Sequence, residues 1–495
     1  MAEPAVGRRK PVVGWFAGRG LVLALCAVGG AIRFATLGQQ SFWLDEAITG
    51  RLMRLGFWPM LREIPRSEST PPLYYILAWP WTRVFGVSEV GLRSLSALLG
   101  TLTIPLLYAA GARLFDRRAG LVAAGLGAFA PLLIWYSQEA RAYALLVALC
   151  AAGLWAFAAA LEPGAGRRAL WLWAVAGALA VATHYFAVFL VGPELCWLLW
   201  KRGRGAAPVL AVPVVVGLAL APLAIHQRAN GGAGFIAQTP VSTRLAQAVK
   251  QLGLGYDAPG ATVFVVLGIG FGLAVLWLAW RRIDGPRRRA ALAAGVLGGA
   301  TLILPVILAV SGEDYLITRN LIVVWVPVAL AVAVILAGSG RAGTVVLIGV
   351  CGLGLAATLG IDLDSRYQRD DWRGAAGVVP AGSLSVVVLT PSSGRLAFDY
   401  YVPDTQTIAP TGATVSSVEV IGLGARGVGA PVKAPPVPAQ PLLLPGFGPP
   451  SESSHGTFSV VRYQATGPPA LVTPTLLIPL ALAVGGSAQM VTHGR

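Results

Sequence analysis

The sequence predicts a mainly α-helical, polytopic membrane protein. About eleven transmembrane helices are expected, twelve if the tail crosses, with interfacial helices in the first outer loop and a small C-terminal extracytoplasmic α/β domain. Three observations carry this. The 495 residues are 56% hydrophobic and only 12% charged, with a mean hydropathy of +0.69, whereas a soluble domain is about 25% charged. The Lys and Arg residues behind the net charge of +16 cluster in short breaks between apolar runs, which is a topology signal rather than a nucleic-acid footprint. After residue 361 the composition turns polar and β-rich.

A span needs about 20 apolar residues. Such runs fall near 15–36, 92–114, 119–136, 142–161, 169–184, 186–200, 206–225, 261–280, 290–310, 320–338 and 343–361, so residues 1–361 read as the transmembrane domain. Arg8, Arg9 and Lys10 before the first run are what a signal peptide would also show. No small-residue cleavage site precedes Asp45, and an uncleaved first helix is expected.

Every second break is basic, as at Arg117/Arg118, Arg167/Arg168, Lys201/Arg202/Arg204 and Arg287/Arg288/Arg289. The positive-inside bias places these breaks and the N-terminus in the cytoplasm of a multi-pass cell-membrane protein. The stretches 37–91, 137–141, 226–260 and 311–319 then face outside. Within 37–91, segments near 44–62 and 72–85 carry Trp58, Tyr75, Trp79 and Trp81 and read as interfacial helices over the bundle. In the outer domain, 362–468, Leu384 to Leu389 and Thr457 to Tyr463 read as strands around a Pro-rich stretch from Pro431 to Pro450. The tail, 469–495, is apolar but contains Pro474 and Pro479, and is a candidate twelfth span.

Cys26, Cys150, Cys196 and Cys351 lie in apolar runs without CxxC spacing, and the four histidines form no ligand motif. Neither a disulfide nor a protein metal site is expected. No cofactor is called for, and a divalent cation is left open.

Charge returns at the outer ends of the spans. Asp45 and Glu46 are adjacent acids after the first span, beside Trp43. In a partly desolvated setting a carboxylate serves as a general base, and the alternative is a pair of solvated loop acids. The turn between the third and fourth spans brings Glu139, Arg141 and Tyr143 to the same depth. Arg141 suits a phosphate, with Glu139 steadying it or contacting a sugar; the plainer reading is a local ion pair. His184 and Tyr185 end the fifth span on the same face, and Arg319 precedes the tenth as a second cation. Glu194, nearer mid-membrane, reads as a helix bridge.

Together these stretches resemble the PMT-like group of the GT-C superfamily of integral-membrane glycosyltransferases, which includes protein O-mannosyltransferases and aminoarabinose and Rgt-type transferases. The resemblance rests on Phe42-Trp43-Leu44-Asp45-Glu46-Ala47, Thr70-Pro71-Pro72-Leu73-Tyr74-Tyr75, Phe85-Gly86-Val87-Ser88-Glu89, Leu92-Arg93-Ser94-Leu95-Ser96-Ala97, Ile134-Trp135-Tyr136-Ser137-Gln138-Glu139-Ala140-Arg141-Ala142-Tyr143 and Thr183-His184-Tyr185-Phe186. Thr70 and Asn320 depart from the His and Tyr that many relatives carry there. The resemblance implies inverting transfer of a sugar, a hexose such as mannose, from a polyprenyl-phosphate donor to a lipid, glycan or protein acceptor on the outer face. It implies Asp45 as base with Glu46 beside it, and Glu139, Arg141, Tyr143, His184, Tyr185 and Arg319 around the donor. Trp43, Pro71, Pro72 and Tyr74 would form the substrate groove. A lipid or sugar transporter, or a non-catalytic relative that binds lipid-linked sugar, are the alternatives.

Overall fold

Apolar runs become helices because a bilayer offers backbone groups no other hydrogen-bond partner, and short polar side chains fix where they begin. Ser88 caps Glu89–Leu114 by accepting from Gly91 N at 3.2 Å, and Asp116 caps Arg117–Phe129 by accepting from Ala119 N at 2.9 Å. A computed structural model, which describes residues 13–231, 234–380, 384–424, 430–482 and 487–494, places a helix on each expected span. Among the described residues, seven helices are long and apolar enough to cross a membrane, or eight if the pair Arg117–Phe129 and Pro131–Ser137, bent by 59°, is one span. The expected count of about eleven is not reached by length and composition, because helices such as Arg167–Thr183 (17 residues) and Val188–Arg202 (15 residues) are short.

The bend has a physical cause. Pro131 has no N–H, and the break before it leaves the Gly127 and Ala128 carbonyls without helical partners. Buried Arg33 takes them, donating to Gly127 O at 2.8 Å, Ala128 O at 3.0 Å and Ser137 Oγ at 3.1 Å. Gly100 lets the neighbouring helix pass close, since a Cβ there would lie 2.0 Å from Ser137 Oγ. The turn after Ser137, which carries Glu139 and Arg141, is thereby fixed in place.

The first outer loop folds into Leu44–Arg54, Phe57–Ser67 and Leu73–Phe85, around a core that includes Phe42, Met53, Tyr74 and Tyr75. One buried ion pair anchors it. Arg93, 1% exposed, grips fully buried Glu46 through Nε at 2.7 Å and Nη2 at 2.6 Å. The same guanidinium donates to the carbonyls of Leu37, Gln40 and Ser41, and Glu46 Oε1 accepts from Ala140 N at 2.9 Å. Loop, membrane helix and the 138–142 turn thus meet at one charge pair.

The outer domain is a sheet in the order β2-β8-β1-β4-β6-β5, from β1 Ser385–Thr390, β2 Gln406–Thr407, β4 Ser417–Leu423, β5 Ser451–Ser454, β6 Phe458–Gln464 and β8 Gln489–His493. A separate ribbon joins β3 Ala413–Val415 to β7 Ala470–Val472. Strands β1 and β4 pair in parallel and are buried throughout, as strands covered on both faces are. The tail is therefore not a twelfth span. It supplies β7, a turn of helix at Pro474–Leu477 and β8, because its two prolines and short apolar run cannot sustain a crossing helix. The domain holds the first loop directly: Phe42 N donates to Tyr401 Oη at 2.6 Å, and Arg373 donates to the carbonyls of Gly38 and Gln39.

Removing one member of a buried ion pair costs about 3–5 kcal/mol. Arg93→Met and Glu46→Gln are each expected to lower the thermal unfolding midpoint of the purified protein sharply. An unchanged midpoint in both would show that the pair does not anchor the loop.

Candidate active site

The three motif regions converge on two cavities that share one residue, Arg319. The first, about 360 Å³, is lined by Asp45, Arg141, Tyr143, His184, Tyr185 and Arg319, and has an apolar side at Phe186, Ile225, Phe235, Ile236 and Ile317. The second, about 270 Å³, contains Trp43, Glu139 and Arg369.

Asp45 sits in the first turn of Leu44–Arg54 and, unlike its neighbour, keeps access: its side chain is 21% exposed, and Oδ2 accepts from Arg319 Nη1 at 3.1 Å. Arg319 lies 5.7 Å from the ring centres of both Trp43 and Phe235, which hold its guanidinium flat by cation–π attraction. Arg141 is buried, and its bonds leave from Nη1: to Glu68 Oε1 at 2.8 Å, Thr49 Oγ1 at 3.2 Å and the Asp45 carbonyl at 3.4 Å. Burial works against the Arg141 charge, but Glu68 more than offsets this and holds its pKa well above the usual arginine value. The cavity therefore keeps Arg141 and Arg319 beside the accessible Asp45, with a second, exposed pair, Arg228 and Glu313 at 2.7 Å, also in its lining.

Around them, His184 Nδ1 accepts from Phe186 N at 3.3 Å, which leaves Nε2 to carry the proton. Tyr185 Oη donates to Gln227 Oε1 at 2.8 Å, and Gln227 in turn donates to Thr70 O at 3.2 Å. The wall of the cavity is thus tied to the first loop.

Several expected placements are corrected. Glu46 lines neither cavity: it is sealed, and Arg93 and Ala140 N occupy its oxygens. Burial favours its neutral form, but Arg93, then Arg369, hold its pKa below the ordinary glutamate value. Glu139 and Arg141 do not pair. The backbone turn sends Glu139 to the second cavity, where Oε2 accepts from Arg369 Nη2 at 3.1 Å. Pro71, Pro72 and Tyr74 line neither cavity. Tyr74 is fully buried with its hydroxyl 3.3 Å from Ser96 Oγ, and Ser69 and Thr70 form that edge instead. Trp43 belongs to the second cavity, and Glu194 accepts from Trp173 Nε1 at 2.7 Å, away from both. Among the described residues no group of three or more His, Cys, Asp or Glu side chains is arranged to hold a metal ion.

Residues 69–226 match the family model described as dolichyl-phosphate-mannose-protein mannosyltransferase. The fold is similar to that of ArnT from Cupriavidus metallidurans in the apo state, with a TM-score of 0.53 and 16% identity over 78% of this chain and 84% of that one. Over residues 69–226 the chain is similar to the PMT-like family. ArnT bound to undecaprenyl phosphate gives a TM-score of 0.49 at 16% identity, covering 79% of this chain and 85% of that chain. The apo Archaeoglobus fulgidus oligosaccharyltransferase gives 0.48 at 12% identity, covering 79% and 64%. No curated protein sequence matches the chain.

Three charged residues at the site received no role from the sequence: Glu68 and Arg369 lie outside the quoted motifs, and Arg93 lies within one. Glu68, Arg93 and Arg369 pair with Arg141, Glu46 and Glu139 from distances of 73, 47 and 230 residues in sequence. Arg93 and Arg369 carried a signal in hindsight, an arginine inside or at the mouth of an apolar span, where charge is expensive.

Burial pushes the Glu139 carboxyl up to about 7 from an ordinary 4.5, against the pull of Arg369. Its folded pKa exceeds its unfolded one, so its contribution to stability is complete below 4.5 and is lost as pH rises through about 7. Glu46, held low, acts in the opposite sense and only below 4.5. Unfolding midpoints recorded from pH 5 to 8 should fall with rising pH in the wild type and flatten in Glu139→Gln. Equal slopes in the two proteins would contradict the assignment.

Proposed function

We propose that the protein is a membrane glycosyltransferase that moves a sugar, a hexose such as mannose, from a polyprenyl-phosphate donor to an acceptor on the extracytoplasmic face, with inversion at the anomeric carbon. The observation that carries the proposal is the first cavity, where an accessible carboxylate, Asp45, lies beside Arg319 and Arg141 while one wall is apolar. A phosphate needs cations that are already oriented, and a prenyl chain needs an apolar flank. The family model over residues 69–226, named for a dolichyl-phosphate-mannose enzyme, supports that donor class.

In this reading the acceptor oxygen attacks the anomeric carbon, the bond from that carbon to the phosphate oxygen breaks, and the phosphate leaves with the electron pair. Asp45 takes the hydroxyl proton. Arg319 links the two events. An arriving phosphate competes with Asp45 for its guanidinium, which releases the carboxylate to accept a proton as charge grows on the leaving group. His184 Nε2–H and the Tyr143 hydroxyl, both on the cavity wall, are donors for phosphate or sugar oxygens. Phosphate is a sufficient leaving group without a dedicated general acid. Basic breaks that read as cytoplasmic support a site on the outer face of the cell membrane.

A positioned general base contributes about 10²–10⁴-fold to rate. With purified protein and labelled polyprenyl-phosphate mannose, Asp45→Asn is expected to lose at least that factor in transfer while its unfolding midpoint stays near wild type. Wild-type turnover in Asp45→Asn would remove Asp45 from the role of base.

A further inference from the structure

Of the residues given a donor role in the proposed reaction, only Arg319 lines the second cavity. That cavity holds about 270 Å³, and half of its lining residues are aromatic: Trp43, Trp135, Tyr136 and Tyr256. Its lining places two guanidiniums, Arg319 and Arg369, among two carboxyl groups, Glu139 and Asp370. Three polar atoms of its lining residues are buried without a hydrogen-bond partner, Glu139 Oε1, Trp43 Nε1 and Arg369 Nε, and Glu139 is 1% exposed. An unmatched buried polar atom costs roughly 1–3 kcal/mol. The wall thus asks for a molecule that brings both a donor and an acceptor.

We propose that this cavity is the acceptor site and that the acceptor it takes is a carbohydrate. The proposal rests on the glycosyl-transfer reading and adds the substrate class. A pyranose ring carries a C–H face that packs on aromatic rings and a rim of hydroxyls, each of which both donates and accepts. One hydroxyl satisfies Glu139 Oε1 as a donor, and another satisfies Trp43 Nε1–H as an acceptor. An extended peptide is recognised differently, through main-chain hydrogen bonds along an edge or side chains laid in a groove, and this small aromatic chamber provides neither. Trp43 is two residues from Asp45 and its ring centre lies 5.7 Å from Arg319, whose Nη1 donates to Asp45 Oδ2 at 3.1 Å, so a sugar held there sits next to the base.

The test uses the full chain purified in detergent, with labelled polyprenyl-phosphate mannose as donor. Octyl α-D-mannopyranoside, octyl β-D-glucopyranoside and a threonine-rich peptide are offered as acceptors at equal concentration. Label is expected on at least one glycoside and not on the peptide. Glu139→Gln and Trp135→Leu should each raise the glycoside KM at least tenfold and leave the donor KM within twofold. Label on the peptide alone, label on none of the three while the donor still binds, or a wild-type glycoside KM in both folded variants would overturn the carbohydrate assignment. A wild-type protein that fails to bind the donor would overturn the glycosyl-transfer reading, and this proposal with it.

Discussion

Two adjacent carboxylates at the mouth of an apolar bundle repel each other and lose water, and the structure answers by separating their fates. Arg93 neutralises Glu46 completely within a fully buried pair, and in doing so ties three carbonyls of the entering chain to the helix it belongs to. Since breaking such a pair leaves an uncompensated buried charge, the loop has one low-energy placement. Asp45, one position earlier, is thereby turned toward the cavity and paired with a cation that a ligand can compete for. Fixing one acid is what leaves the other available.

The same economy recurs around it. Glu68 holds Arg141, Arg369 holds Glu139, and Arg33 closes the break at Pro131 that sets the height of the Glu139–Arg141 turn. Each of these pairs crosses between elements far apart in sequence, and each fixes a side chain on one side of Arg319 or the other. The outer domain takes part through Arg369 and Arg373, which leave the segment after the last span to reach the first loop and the second cavity. It is a wall of the site as well as a separate module.

Much of this was legible in the sequence. Hydropathy located the helices that lie on the expected spans, and β1 and β6 followed from runs rich in β-branched and aromatic residues. The convergence of Asp45, Arg141, His184 and Arg319 followed from alternating breaks. What could not be read was pairing. Glu139 and Arg141 look like partners because they are two apart, yet a tight turn points such residues to opposite sides, and the true partners lie in other elements. Tyr74 read as groove because it is aromatic and follows two prolines, when it fills the loop core. The tail was a candidate twelfth span by composition, and in the structure it pairs with β1 and β3 instead.

In the proposed reaction Arg319 is shared between Asp45 and a donor phosphate, and affinity for a polyprenyl monophosphate reports that sharing. Equilibrium binding to the purified protein should weaken at least tenfold in Arg319→Gln and should strengthen in Asp45→Asn, where the guanidinium no longer has a carboxylate to leave. Unchanged affinity in both variants would contradict the shared cation.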